Sequence, residues 1–121
     1  MELKKLNIPF SVCKTTTLEA VDLSRDFTFV SKTDDEISIV CPSEYVPADT
    51  VAAEHDWLAL KIEGVLDFAL IGIIAKIASI LAENAISVFV ISTYNTDYIL
   101  MKEDKFEEAV SLLQKGGYTV V

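Results

Sequence analysis

Residues 72–102, GIIAKIASILAENAISVFVISTYNTDYILMK, decide the fold prediction because three local patterns follow one another within them. From Ile73 onward, large apolar residues recur every three or four positions, which predicts a helix with one apolar face. Residues 86–93 are rich in β-branched side chains and predict a central strand. Residues 94–97 have turn chemistry, and residues 98–102 predict the strand that returns beside the first. The run therefore indicates an α+β fold.

The sequence on either side of this run completes a repeating order of elements. Residues 57–63 alternate between apolar and polar side chains, which predicts a strand that Gly64 closes. Asp104 and Glu107 resemble a capping box at the start of a second helix. The apolar stripe of that helix is Phe106, Ala109, Val110 and Leu113. Residues 118–121 predict a last strand. The order β-α-β-β-α-β is that of the ferredoxin-like unit, an antiparallel sheet with helices on one face.

The first half of the chain predicts a shortened version of the same unit. Residues 6–13 read as a strand, in which Pro9 indicates an edge position or a bulge. Residues 26–31 and 36–41 flank a polar turn and predict a hairpin. A strand, a short crossover and a hairpin thus occur twice along the chain, which suggests an internal duplication.

The boundary between the two predicted units falls in a polar stretch. Residues 43–46 are expected to form a turn of helix, and residues 47–56 are interpreted as the linker. The predicted domains are a reduced N-terminal unit at residues 1–55 and a full unit at residues 56–121. We expect their sheets or helices to pair within the chain.

The charge balance excludes several classes of partner. The chain has 121 residues, a net charge of −9 and one arginine, Arg25, among its 10 basic residues. Nucleic acids and anionic membranes are bound by clustered lysine and arginine, which this sequence does not contain. Its 51% hydrophobic content excludes intrinsic disorder. The composition predicts a protein that binds neither nucleic acid nor a membrane.

The two cysteines, Cys13 and Cys41, predict core positions in strands rather than a disulfide. The N-terminus has no pattern typical of a signal peptide, and the longest apolar run is far shorter than the roughly 20 residues of a membrane-spanning helix. A cytoplasmic location is therefore expected, where thiols stay reduced.

Signatures of catalysis are weak. The single histidine, His55, lies in the acidic linker, where a solvated side chain is the expected interpretation. The sequence contains neither a glycine-rich phosphate loop nor the spacing of a metal site, so no cofactor and no metal are predicted. An acylphosphatase-like enzyme would share the fold, but Arg25 lacks the phosphate loop that such an enzyme needs. The sequence predicts a protein that is not an enzyme.

Two polar clusters lie at the ends of apolar elements and are candidates for binding. The first consists of Glu63, Gly64, Asp67 and Gly72, where glycines permit close backbone approach and helix-start N–H groups can hold a carboxylate. The second is residues 92–97, with more hydrogen-bonding side chains than a tight turn requires. Both clusters also fit ordinary loop, capping and turn residues. Since the two segments need not lie at the same sheet end, a ligand that touches both is expected between two units.

A family resemblance is carried by these same segments. The strings EGVLDFALIGIIAKIASIL and ISVFVISTYNTDYIL, within residues 60–100, resemble an ACT domain. They are most similar to the tandem-ACT subgroup, which includes small bacterial ACT proteins and the eukaryotic cytosolic arginine sensors. The resemblance implies two ferredoxin-like ACT units and a regulatory, non-enzymatic protein that binds a small amino acid at an interface between units.

The resemblance also implies which residues contact the ligand. Gly72 and Ile73 correspond to the loop that holds the carboxylate end, and Asp97 corresponds to the residue at the cationic end. Asp67 is a plausible neighbour. The arginine sensors carry an acidic residue where this chain has Leu70, so a smaller or less cationic amino acid is expected, or none. The candidate ligand-binding residues are Asp67, Gly72, Ile73, Thr93, Asn95 and Asp97.

Two further expectations concern assembly. Edge strands and the apolar strand at residues 86–91 predict a homodimer or a higher homo-oligomer. The alternative function from another class is a ligand-free structural, partner-binding or oligomerisation module with the same fold.

Overall fold

The computed structural model describes residues 1–64 and 71–121, which group by contact into two compact units. The larger unit consists of Met1–Asn7 and Leu58–Val121, and the smaller unit is Ile8–Trp57. Strands β1 (Glu2–Thr15) and β4 (Thr50–Ile62) contribute residues to both. The predicted division at residues 1–55 and 56–121 rests on a sequence repeat and stays a prediction.

The larger unit has the predicted β-α-β-β-α-β order. Strand β4 is followed by α1 (Ile73–Ala82), β5 (Phe89–Ser92), β6 (Asp97–Lys102), α2 (Glu103–Lys115) and β7 (Thr119–Val120). The strand order is β5-β6-β4-β1, with β7 on the other side of β1. Strands β5 and β6 are antiparallel, whereas β7 runs parallel to β1. The α+β fold with two helices is confirmed here.

The core of the larger unit lies between its sheet and its two helices. Alternate residues of β4 and β6, namely Leu60 with Ile62 and Ile99 with Met101, point to the helices. From α1, Ile77 and Leu81 meet them, as the helical period predicts. The predicted stripe of α2 is buried in full: Phe106, Ala109, Val110 and Leu113. The periodicity of the two helices therefore predicted their buried faces, whereas β6 buries the consecutive residues Ile99, Leu100 and Met101.

The start of α2 differs from the predicted capping box. The helix begins at Glu103, its N-cap is Lys102, and no side chain of the described residues caps it. Glu103 and Asp104 instead lie in the first turn, where their negative charges compensate the positive end of the helix dipole. The prediction of Asp104 as the cap was wrong because an acidic residue suits the first turn as well as the cap.

The smaller unit contains the predicted hairpin, and residues 8–57 include no α-helix. Strands β2 (Phe29–Lys32) and β3 (Ile37–Pro42) are antiparallel, and β3 also pairs with Phe10–Thr15 of β1. The expected helical turn is a 3₁₀ helix at Ser43–Tyr45. A second complete ferredoxin-like unit is thus not shown.

Pro9 was predicted to mark an edge or a bulge, but β1 is an interior strand that lies between β3 and β4. On one side of β1, Glu2 and Leu3 pair with β7, while pairing with β3 begins only at Phe10. Pro9 lies between these two paired segments and is exposed. Its missing N–H therefore costs no hydrogen bond to either partner.

The prediction of a linker at residues 47–56 was wrong, because β4 begins at Thr50. Residues 51–56 are all exposed, so they show no apolar alternation that would indicate a strand. Pairing with β1 holds them in the sheet instead. Asp56 has φ 67 within this strand, a left-handed conformation that aspartate adopts more readily than most residues.

Both cysteines are free, buried and located in strands, as predicted. Cys41 of β3 lies diagonally across from Cys13 of β1, because the register pairs Ser11 with Cys41 and Cys13 with Ile39. Burial, together with the charge of the neighbouring Cys13, raises the pKa of the Cys41 thiol from 9.0 to about 11. The folded protein therefore retains this proton at a pH where the unfolded chain loses it.

We expect the stability difference between wild type and Cys41→Ala to shrink as pH rises from about 9 to about 11. In this window the unfolded wild type releases the Cys41 proton and the folded form does not, so ionisation favours unfolding only when Cys41 is present. Chemical denaturation midpoints of both proteins across this range measure the effect. A difference that is independent of pH would show that the thiol is not held neutral by burial.

Candidate functional site

The β5–β6 turn contacts the end of β4, where the connection to α1 begins. Thr96 is 4% exposed, and its hydroxyl donates a 2.7 Å hydrogen bond to the carbonyl oxygen of Ile62. The hydroxyl of Thr93 donates to the carbonyl oxygen of Thr96 at 3.0 Å and closes the turn. The two polar clusters thus begin at one end of the sheet within the larger unit, although the sequence did not require this.

The N-terminus of α1 follows the first cluster and is electrostatically uncompensated among the described residues. Gly72 is the N-cap with φ 78, a left-handed conformation that favours glycine. No side chain caps the helix there, and its first turn contains no acidic residue. Helix α2 has two acidic residues in its first turn. Among the described residues, no side chain accepts from the first N–H groups of α1, so they suit an anionic group, whereas two acidic residues lie in the first turn of α2.

A cleft of about 250 Å³ opens beside this helix start. Its lining residues are Met1, Ile71, Gly72, Ile73, Lys76, Gly116, Gly117 and Tyr118. The backbone N–H of Lys76 donates to the carbonyl oxygen of Gly72 at 3.0 Å, which is the first bond of the helix. The ammonium group of Lys76 adds a positive charge to the same wall. Gly72 and Ile73 thus lie together in a cleft suited to a carboxylate.

The other predicted site residues do not line this cleft. Thr93 serves the turn, and Asn95 is exposed beside it. Asp97 is the first residue of β6, is half-buried, and pairs with Ser92 in the register. Asp67 lies outside the described residues. The structure therefore brings two of the six predicted residues together in one cleft, and it places three more on the adjoining hairpin.

Glu63 is a candidate that was grouped with the first cluster but not selected as a site residue. It follows the last residue of β4, and its backbone N–H donates to the carbonyl oxygen of Glu2 at 3.0 Å. One carboxylate oxygen, Oε1, is buried and has no hydrogen-bond partner among the described residues. Buried polar atoms are nearly always satisfied, so an orphaned one indicates a missing partner. A carboxylate directly after a buried strand is the sequence signal for this position.

His55 belongs to the smaller unit and is exposed, as expected, but it is also hydrogen-bonded. Its Nδ1 lies 2.7 Å from the Oγ of Ser11, which in turn lies 2.7 Å from the Oγ of Ser43. Ser11 is fully buried, so its hydroxyl is not accessible to a substrate as a nucleophile. The two hydrogen bonds satisfy the buried hydroxyl of Ser11 and connect β1 and β4 to the 3₁₀ helix at Ser43–Tyr45.

Within residues 1–64 and 71–121, no group of histidine, cysteine and acidic residues has the arrangement of a metal site. No helix there has the length and apolar character required to cross a membrane.

An α+β unit with an uncapped, glycine-preceded first helix at the site defines the class of protein. Residues 52–115 match the family model described as ACT domain, which is more than half of the chain. The protein therefore belongs to the ACT domain family, and the resemblance seen in the sequence is confirmed at that level. The ACT domain is a regulatory fold found in the regulatory subunits of aspartate kinases.

Solved structures of other proteins share this fold. Protein Atu0741 from Agrobacterium tumefaciens is 31% identical, with a TM-score of 0.85 over 99% of this chain and 91% of that one. The ligand-free regulatory subunit of aspartate kinase from Thermus thermophilus is 9% identical, with a TM-score of 0.64 over 93% and 95% of the two chains. The aspartokinase alpha and beta subunits are 16% identical, with a TM-score of 0.65 over 95% and 96%. Among curated proteins, none matches the sequence significantly.

Proposed function

We propose that this protein is a non-enzymatic regulatory module that binds a small amino acid at the α1 end of its larger unit. The observation that carries the proposal is the uncompensated N-terminus of α1, which opens into a cleft beside Lys76. An amino-acid carboxylate accepts hydrogen bonds from the N–H groups after Gly72 and is attracted by the helix dipole.

The ammonium group of the ligand needs a negative partner. Since neither Glu63 nor Asp97 lines the cleft that takes the carboxylate, that partner comes from a second unit across the interface. Glu63 offers a buried carboxylate oxygen that has no hydrogen-bond partner in residues 1–64 and 71–121, and Asp97 offers a half-buried carboxylate on the hairpin. Thr96 fixes this hairpin to the end of β4 through its bond to Ile62. Charges of both signs at this interface complement a zwitterion, and charge-assisted hydrogen bonds are the strong ones.

Within the family, the sequence resemblance supports the tandem-ACT subgroup with small bacterial ACT proteins and arginine sensors. Leu70 stands where those sensors carry an acidic residue, so the side chain of the ligand is small or weakly cationic. Asp67 is retained as a neighbour of the ligand on sequence grounds.

Binding takes place at an interface between ACT units of a cytoplasmic homodimer or higher homo-oligomer. Ile71 at the cleft is 94% exposed, and Tyr94 on the β5–β6 turn is 80% exposed. Large apolar side chains left exposed beside a site support a second surface that covers them. A ligand bound there stabilises the assembled form over the separated one, which is how binding regulates.

The test is a thermal-shift screen against the twenty amino acids at millimolar concentration. We expect at least one to raise the melting temperature, since ligand at 100 times Kd adds about 2.7 kcal/mol to the unfolding free energy. Asp97→Ala is expected to abolish the shift. The matched control is Asp34→Ala, which changes an exposed aspartate in the β2–β3 turn and leaves the shift intact.

The alternative function is a ligand-free module for structure or partner binding. The exposed side chains of Ile71 and Tyr94 support it as much as they support the amino-acid-binding function. It predicts no thermal shift with any amino acid, while the oligomer persists on dilution. Sedimentation analysis with and without each amino acid separates the two functions, because only a regulatory module changes its assembly state with ligand.

A further inference from the structure

A second cleft lies wholly within the smaller unit and has no part in the proposed amino-acid site. It measures about 190 Å³ and is lined by both apolar and polar residues. Its apolar lining is Ala20, Val21, Ile39, Cys41, Val46 and Pro47, and its polar lining is Asp22, Arg25, Thr28 and Tyr45. Ile39 and Cys41 are 1% and 2% exposed, so they form a solid floor from strand β3.

Arg25 is held in a defined orientation among the polar lining residues. Its guanidinium carbon lies 3.7 Å from the centroid of the Tyr45 ring, a stacked cation–π contact. Its Nε lies 3.5 Å from an oxygen of Asp22. Hydrogen bonds from Ser24 lower the pKa of Asp22, so the ion pair is maintained. The stack and the pair together restrict the rotamers of a side chain that is otherwise flexible.

The two Nη groups of Arg25 remain without a partner among the described residues. The ion pair engages Nε alone, and the carbonyl oxygen of Arg25 is the acceptor for the hydroxyl of Thr28 at 3.0 Å. An orientated guanidinium with a free pair of donors matches a carboxylate in bidentate geometry.

The choice of residue type points the same way. Nine of the chain's ten basic residues are lysines, and its one arginine lies at this cleft. A lysine would serve the exposed ion pair with Asp22 equally well. Only arginine can stack on Tyr45 and present a planar fork at the same time.

We infer that this cleft binds a small monocarboxylate with a short apolar chain. The carboxylate lies on the Nη groups of Arg25, and the chain lies against Ile39 and Cys41. Both oxygens of Asp22 already accept hydrogen bonds or ion-pair contacts, from Ser24 and Arg25, so the cleft requires no ammonium group on its ligand. It therefore differs in ligand chemistry from the amino-acid site of the larger unit.

Two-dimensional ¹H–¹⁵N NMR tests this inference with 3-methylbutanoate as the probe and 3-methylbutan-1-ol as its neutral counterpart. The acid is expected to shift the amide signals of residues 20–28 and 46 at millimolar concentration, and the alcohol is not. Arg25→Lys keeps the charge but loses the fork, so the Kd for the acid should rise at least about tenfold. Lys32→Met, which removes one exposed charge from β2, is the control and keeps the wild-type Kd.

Three outcomes would overturn the inference. They are an absence of shifts with the acid, equal shifts with acid and alcohol, and an unchanged Kd in Arg25→Lys. The same spectra report whether each variant is folded, so loss of structure is not mistaken for loss of binding. Asp97→Ala should leave the response to 3-methylbutanoate unchanged, because that residue belongs to the other unit. The test of this cleft is therefore independent of the test of the amino-acid site.

Discussion

Leu60→Ala is expected to lower the free energy of unfolding by about 2–5 kcal/mol. Leu60 lies on β4 with no exposed surface and belongs to the cluster that joins the sheet of the larger unit to both helices. Truncation removes its apolar contacts and leaves a cavity that neighbours such as Leu81 and Leu113 fill only in part. The free energy of unfolding of a domain is about 5–15 kcal/mol in total, so this one substitution removes a large fraction of it.

Denaturant titration measures this loss as a lower unfolding midpoint, provided that the dependence of the unfolding free energy on denaturant concentration is unchanged. The same strand supplies a matched control. Val51 of β4 is 62% exposed, so Val51→Ala should change the unfolding free energy by less than about 0.5 kcal/mol. Similar midpoints for the two variants would contradict the placement of the core on the Leu60 side of β4. A changed slope would instead indicate an altered denatured state.

The helices of the larger unit and their buried faces were predictable because their signals are local and periodic. In α1, the spacing that includes Ile77 and Leu81 fixes both the helix and its buried face. The capping of α2 was less predictable, because Asp104 favours the N-cap and the first turn to similar degrees. Periodicity determines which residues form the buried face of a helix. Small differences in free energy determine at which residue the helix starts.

The first half of β4 could not be predicted because its stabilisation is not local. Residues 51–56 expose their side chains, and they are strand only because β1 supplies backbone partners. The same reason applies to His55, which was interpreted as a solvated linker residue. Its hydrogen bond to Ser11 joins residues 44 positions apart, and no local pattern reports such a contact.

The candidate site shows the same division between local and distant signals. Gly72 was predictable, since a glycine before an apolar helix indicates a left-handed N-cap or a close approach. The β5–β6 turn lies at the end of β4 because of the order of strands in the sheet, which was not predictable. The hydrogen bond between Thr96 and Ile62 joins residues that are 34 positions apart. Glu63 became a candidate only through its buried carboxylate oxygen, which lacks a partner in the part of the chain that the structure describes.

The two helices differ in the charged residues at their ends. In α2, Glu103 and Asp104 at the start and Lys115 at the end stabilise the helix itself. Helix α1 has neither an acidic first turn nor a basic last turn. Natural sequences depart from such local rules where function requires it, and this departure occurs beside the proposed ligand. Most of the 19 acidic residues thus need no functional explanation, and Glu63 and Asp97 are the two that the proposed function assigns to the ligand.

Glu63→Gln is expected to separate binding from stability. The proposed amino acid should bind about 10- to 150-fold more weakly, as follows from losing a charge-assisted hydrogen bond of about 1.5–3 kcal/mol. The ligand-free variant should be as stable as wild type or slightly more stable. Glutamine has the same shape as glutamate, and it removes the negative charge of a carboxylate whose buried oxygen has no partner in the described part of the chain. A substitution that weakens binding without weakening the fold is typical of a residue kept for function.

Calorimetric titration with the amino acid found by the thermal screen measures the first effect, and denaturation without ligand measures the second. Glu36→Gln is the matched control, since Glu36 is an exposed glutamate at the β2–β3 turn of the smaller unit and its loss of charge is the same. If Glu63→Gln binds as tightly as wild type while Asp97→Ala does not, the ammonium group lies at the hairpin and Glu63 is outside the site. If Glu63→Gln instead lowers stability by more than about 1 kcal/mol, its carboxylate serves the fold, because a neutral isostere would then remove a contact that the folded chain requires.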